Sequence, residues 1–292
     1  MQNVAAVSAS IFVASIPSPS SSTIEIGPIS IHFYGLTLLV AIAAAVAITG
    51  VRWTRRGGDW DLVFRVAVWG VAFGIVGARA YHVLTSWDEL PDEWWGPFAI
   101  WKGGLGVWGG IGLGALVGAI VARRSGVSVA ALADCAAPAL LVAQGIGRFG
   151  NWWNQELFGG PTDLPWGLEI DVENRPFDHP EAETFHPTFL YEALWSFSMA
   201  GVLLVVERVF RGRIRPGNLF ALYVALYSLG RIWVELLRID PSHEIAGVRL
   251  NVYVAAFALL TGVVVFVVRQ RRWRRDQGAP PRLEAMAIPK PR

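Results

Sequence analysis

Seven ionisable side chains lie within or at the ends of otherwise apolar stretches: His32, Arg79, Asp134, Arg148, Glu192, Arg231 and Glu235. Placing such a group in a membrane costs roughly 2.5–3.5 kcal/mol on insertion scales, so each must face protein or a wet cavity. Tyr227, Arg231, Glu235 and Arg238 are separated by four, four and three residues. That spacing stacks them on one helix face and brings Arg231 within pairing reach of Glu235. Arg148, Asn151 and Asn154 follow one another at steps of three. Together with His32, Arg79, His186, Tyr191 and Glu192 they converge on one level of a bundle, whereas Asp134 sits near the opposite end. A wet, cationic pocket at that level suits an anionic lipid headgroup, because the guanidinium fork offers a phosphate two parallel hydrogen bonds. A transporter with an arginine-lined anion site is the alternative. It requires a polar path through both halves of the bundle, and the remaining parts hold chiefly Asp134 and Arg65.

The elements that position these groups follow from composition. Of 292 residues, 53% are hydrophobic and 16% charged, against roughly 25% charged in a soluble domain. Mean hydropathy is +0.43. This excludes a disordered chain and argues against a soluble enzyme. With 25 Lys and Arg against 23 Asp and Glu the net charge is only +2, so no nucleic-acid partner is expected. Cys135 is the single cysteine and reads as a packing residue.

A membrane helix needs about 20 apolar residues. Seven stretches qualify: 29–51, 62–84, 103–122, 129–147, 188–206, 218–237 and 250–268. Alternate connections carry arginine: Arg52, Arg55 and Arg56; Arg123 and Arg124; Arg208, Arg211, Arg213 and Arg215; and a run from Arg269 to Arg275. The segments between hold few cations. The positive-inside rule therefore places the N-terminus outside and the C-terminus in the cytoplasm. The expected fold is an all-α, seven-span membrane protein. Residues 1–28 read as a Ser/Pro-rich, poorly ordered outer tail, since no basic segment precedes the mildly apolar start as a signal peptide requires. Residues 29–268 form the seven-span domain and 269–292 a basic, Pro-containing cytoplasmic tail. Residues 148–187 are expected to form a small outer cap with short strands, for example over 166–172. Trp87, Trp94, Trp95 and Trp101 suit an interfacial belt. Gly106, Gly110, Gly114 and Gly118 make a flat helix face, as do Gly70 and Gly74, and both predict close helix packing.

The run from Gly147 to Gly159, GRFGNWWNQELFG, resembles the signature of the bacterial prolipoprotein diacylglyceryl transferase family. So do His32-Phe33-Tyr34-Gly35, Asp134 with Ala137-Pro138, His186-Pro187 with Tyr191-Glu192, and Tyr227 through Arg231 and Glu235 to Arg238 and Asp240. The matches keep the family's order over roughly residues 24–268. The resemblance implies seven spans with an external N-terminus in the bacterial cytoplasmic (inner) membrane. It implies transfer of a diacylglyceryl group from phosphatidylglycerol to the lipobox cysteine of lipoprotein precursors, releasing glycerol phosphate. No cofactor and no metal are implied. Arg148 and Arg231 then stabilise the departing phosphate, with Tyr34 and His32 as further catalytic candidates. Asn151, Asn154, Glu156, Tyr227 and Glu235 join the arginines in binding phosphatidylglycerol.

One position departs from the family pattern. Many members carry a histidine, proposed as thiol base, where this chain has Trp108 within Gly103-Gly104-Leu105-Gly106-Val107-Trp108-Gly109-Gly110. An indole offers only a donor. Either another group, of which His32 is nearest by level, takes the proton, or arginine charge raises the thiolate fraction of a thiol whose free pKa is about 8.5.

Overall fold

The computed structural model describes residues 15–91 and 93–277. Its seven long helices are α1 (Phe33–Thr54), α2 (Trp60–Thr85), α3 (Val107–Arg124), α4 (Val129–Trp153), α5 (Thr188–Val209), α6 (Asn218–Leu237) and α7 (Leu250–Gln277). Each is long and apolar enough to cross a membrane. Three antiparallel pairs of short strands accompany them: β1 (Thr23–Ile26) with β2 (Ile29–His32), β3 (Leu168–Glu169) with β4 (Thr184–Phe185), and β5 (Glu244–Ile245) with β6 (Val248–Arg249).

Three boundaries differ from the sequence expectation. Residues 29–32 do not begin the first span. They pair with β1 in register Thr23 to His32 across a turn in which Gly27 takes φ +61°. The alternation Ile-Ser-Ile-His is a strand pattern, and the 3.6-residue period starts only at Phe33. Residues 103–106 do not begin the third span either. Gly103 and Gly104 adopt φ +87° and +73°, in the left-handed region that a helix cannot contain. Conversely, α4 continues to Trp153, so Arg148 and Asn151 lie within the helix. The N-terminal tail is also more ordered than expected: Ile16 bridges Leu168, with Ile16 N–H donating to Gly167 O at 2.8 Å. Residues 1–14 and 278–292 of the two expected tails lie outside the described residues.

The chain divides into two compact units. The first holds residues up to Ala41, Ala143–Ser198 and Leu226–Leu260. Its apolar core is Phe158, Leu168, Ile170, Phe185 and Phe189, packed by Ile16, Phe149, Trp152 and Ile239. Burying one such phenylalanine contributes about 1.5–3 kcal/mol, enough to hold strands of only two residues in place.

The second unit holds Ile42–Val142, Met199–Ala225 and the segment from Thr261. Trp53, Leu62, Val63, Ala122 and Cys135 form its core, and Cys135 is fully buried. Here α2 and α3 meet backbone to backbone. A Cβ on Gly114 would stand 2.9 Å from Gly70 O, and one on Gly74 would stand 3.4 Å from Gly110 O. Gly106, outside the helix, instead donates its N–H to Ala78 O at 2.8 Å. Pro138 within α4 has no N–H for the carbonyl of Asp134. Arg52 fills the vacancy, donating to Asp134 O at 3.2 Å and to Cys135 O at 2.9 Å. The Asp134 carboxylate accepts from Gly217 N–H at 2.7 Å and Phe220 N–H at 2.9 Å. It thereby caps the start of α6, where backbone donors lack partners. Arg79 is buried and spends its guanidinium on four carbonyls, those of Gly96, Pro97, Gly103 and Gly104.

Candidate functional site

The first unit carries a chain of alternating charges. Arg148 reaches Glu192 at 2.7 Å, and Arg231 reaches the other Glu192 oxygen at 3.2 Å. Arg231 also pairs with Glu235, one helical turn along α6. Glu235 is completely buried and receives Arg249 at 2.8 Å and Asn251 at 3.0 Å. Arg249 continues to Asp240 at 3.0 Å, and Arg238 holds Asp240 by two bonds of 2.7 and 2.9 Å. Burial alone would raise the Asp240 carboxyl, but Arg238 and then Arg249 hold it below the usual carboxylate range. Four arginines thus alternate with three carboxylates along this chain of charges.

Local sequence explains the Arg148 end. α4 closes in a turn where Gln155 and Leu157 take φ +50° and +60°, a conformation uncommon for residues other than glycine. Gln155 is held there by Asp171: its amide oxygen accepts from Asp171 N–H at 2.9 Å. The turn folds Glu156 back onto Asn151, whose amide donates to Glu156 Oε1 at 2.8 Å, while Arg148 donates to Asn151 Oδ1 at 3.4 Å. Tyr227 hydrogen-bonds to Arg148. The Tyr34 ring lies on Gly150, where a Cβ would come within 2.7 Å of it.

The structure therefore brings Arg148, Asn151, Glu156, Tyr227, Arg231 and Glu235 into one neighbourhood and sets Tyr34 at its side. Asn154 stands in the turn just after α4. His32 is exposed at the end of β2 and joins none of these ion pairs. Glu192 is the link between the two arginines, a part that spacing along one helix does not reveal. Arg249 and Asn251 are further members that sequence reasoning missed. Their signal was a lone cation directly before an apolar run and an amide at that run's second position. In the second unit, Trp108 is half exposed on α3. Among the described residues no group of three or more His, Cys, Asp or Glu is arranged to hold a metal.

Beside Arg238, Asp240 and Arg249 the first unit opens into a cavity of about 580 Å³, bordered also by Asp178, His179 and Glu244. Its size is within the range of ligand sites, about 300–1,000 Å³.

Comparison with known proteins is consistent along nearly the whole length. The family profile "Prolipoprotein diacylglyceryl transferase" matches residues 21–268. A phosphatidylglycerol–prolipoprotein diacylglyceryl transferase of Frankia alni is 48% identical over 265 residues, covering 88% of this chain and 68% of that protein. Proteins of the same description from Bifidobacterium adolescentis and Cutibacterium acnes are 44% and 48% identical; the alignments cover 89% of this chain in both cases, and 81% and 88% of the relatives.

Proposed function

Because this chain belongs to the prolipoprotein diacylglyceryl transferase family, we propose that it moves a diacylglyceryl group from phosphatidylglycerol to the cysteine thiol of a lipoprotein precursor. The sulfur attacks the glyceryl carbon that bears the phosphate ester. A C–S bond forms as the C–O bond breaks, and the electron pair leaves with glycerol phosphate. The thiol proton passes to His32, to water or to the departing phosphate. The atoms balance on the two substrates alone.

The observation that carries this reading is the Arg148–Glu192–Arg231 bridge. Negative charge grows on the leaving group, and a cation fixed beforehand at that place lowers the barrier without reorganising. Glu192 holds both guanidinium groups in place. Arg231 is shared between two carboxylates, whereas Arg148 answers only one, so less of its charge is neutralised. Arg148 is therefore assigned the principal grip on the phosphate, with Arg231 beside it. Asn151, positioned by Glu156, and Tyr227 hold headgroup oxygens; Asn154, Tyr34 and His32 line the approach. Trp108 cannot accept the thiol proton, so arginine charge near the thiol, or His32, takes its part. A polar path across both halves, as the transporter reading requires, gains no support from the second unit. There Asp134 caps a helix, and Arg52 and Arg56 pair with Glu207.

The proposed setting is a bacterial inner membrane. Arginine distribution places the N-terminus and residues 154–187 outside, as a cap over the site, and Arg56, Arg124, Arg213 and Arg272 inside. The test is direct. Purified protein in micelles is given phosphatidylglycerol and a peptide with a lipobox cysteine, and products are read by mass. Thioether-linked peptide and free glycerol phosphate are expected. Their absence with folded protein refutes the assignment.

A further inference from the structure

The lipid phosphate accounts for one end of the charge chain, at Arg148 and Arg231. The other end borders the 580 Å³ cavity. The second substrate of the proposed reaction is a polypeptide. Its apolar segment precedes the acceptor cysteine, and a hydrophilic segment follows it. The cavity's border mixes charged and polar side chains, Arg238, Asp240, Ser242, Glu244, Asp178 and His179, with apolar ones such as Leu236, Ile239 and Val248. An apolar segment seated there would strand those charged groups, whereas an extended hydrophilic one meets the charges and lays its backbone and stems over the apolar part.

Reach agrees with this. Arg238 follows Arg231 by seven residues, all but the last within α6. At 1.5 Å per residue the cavity border lies about 10 Å along the helix from the phosphate clamp. An extended chain spans that in about three residues.

The charges at the border are not equivalent. Arg238 and Arg249 are taken up by Asp240 and Glu235. Asp178 and Glu244 are exposed and have no ion pair among the described residues. Among the residues bordering the cavity, the charges without an ion pair, Asp178 and Glu244, are therefore negative. Resting on the function given above, we propose that this cavity receives the hydrophilic stretch of the precursor beginning about three residues after its acceptor cysteine. Asp178 and Glu244 make it discriminate against acidic residues there.

The experiment uses the full-length protein in neutral detergent micelles at pH 8. Two lipobox peptides differ only in carrying Lys or Asp at the third to fifth positions after the cysteine. Unit charges a few ångströms apart in water interact by enough to give about a five-fold effect each. The wild-type protein is expected to prefer the Lys peptide by at least five-fold in kcat/KM. Asp178→Lys combined with Glu244→Lys reverses that order, with the change in KM for peptide. Asp178→Asn and Glu244→Gln, milder changes at exposed positions, each reduce it. Equal use of the two peptides by wild type, or a preference that none of the variants moves, overturns the proposal. A wild-type protein that forms no thioether with either peptide refutes instead the transferase assignment on which it rests.

Discussion

Replacing Arg148 by lysine keeps the charge and removes the shape. In the structure Arg148 addresses three partners from one planar group: Glu192 at 2.7 Å, Asn151 at 3.4 Å and the Tyr227 side chain. A lysine ammonium on its flexible stem is a point charge that holds Glu192 or a phosphate oxygen, but not a bidentate phosphate as well. Loss of one such transition-state contact costs about 2–4 kcal/mol. At 1.36 kcal/mol per decade this is a fall of roughly 30- to 1,000-fold in kcat/KM. Arg231→Lys should lose activity too, but less, because the Arg231 charge is already answered by two carboxylates, Glu192 and Glu235. Both variants keep a cation beside Glu192, so both should fold and insert. The assay is thioether formation per folded molecule, with folding judged by size-exclusion behaviour and thermal inactivation in detergent. Wild-type turnover in Arg148→Lys refutes the phosphate grip and leaves Arg148 as a residue that pins α4 to α5. The opposite order, Arg231→Lys worse than Arg148→Lys, refutes the reasoning from the less neutralised charge.

Trp108→Phe should retain most of its turnover, since Trp108 transfers no proton; His32→Gln should cost more if His32 meets the thiol, and an unchanged pH–rate profile in that variant would remove His32 from the base role. Asp240 has a lowered folded-state pKa, so its stabilisation is complete above the unfolded value of about 3.9 and is lost as pH falls through the folded one. Thermal stability in detergent should therefore drop on the acid side of about pH 4 less steeply in Asp240→Asn than in wild type, and an identical acid-side slope would contradict this. Gly114→Ala drives a methyl group against Gly70 O, where a Cβ has only 2.9 Å; about 1–3 kcal/mol of overpacking is expected, whereas Gly118→Ala, facing the movable Val66 side chain at 3.4 Å, should shift the inactivation temperature far less. A cysteine placed at Glu173 should react with an impermeant maleimide in intact cells and one at Arg213 should not; the reverse pattern overturns the assigned orientation.

The seven helices were legible because an apolar run of about 20 residues is a local signal. So was the Arg231–Glu235 pair, fixed by helical periodicity alone. What was hidden depends on segments far apart in sequence. No pattern around Glu192 announces that it stands between Arg148, 44 residues before it, and Arg231, 39 residues after. Arg249 looked like a stray cation in a connection until β6 carried it to Glu235. The β1–β2 hairpin was absorbed into the first span, since Ile29 and Ile31 raise the apolar count whichever period they follow. Asp134 was legible as a costly residue, but its role as a cap of α6 needed the third dimension.

The buried carboxylate of Glu235 has a consequence for the order of biogenesis. Its partners are supplied at different times as the chain emerges. Arg231 is already present when α6 is made, and the two can enter a membrane together as a nearly neutral pair. Arg249 and Asn251 come later, at the junction with α7. Until that junction docks, one oxygen of a side chain destined for complete burial is left to whatever water follows it in. The sixth helix is thus electrically unfinished when it leaves the insertion machinery, and the seventh completes it. A chain ending before residue 249 should leave α6 poorly anchored, although every residue of that helix is intact.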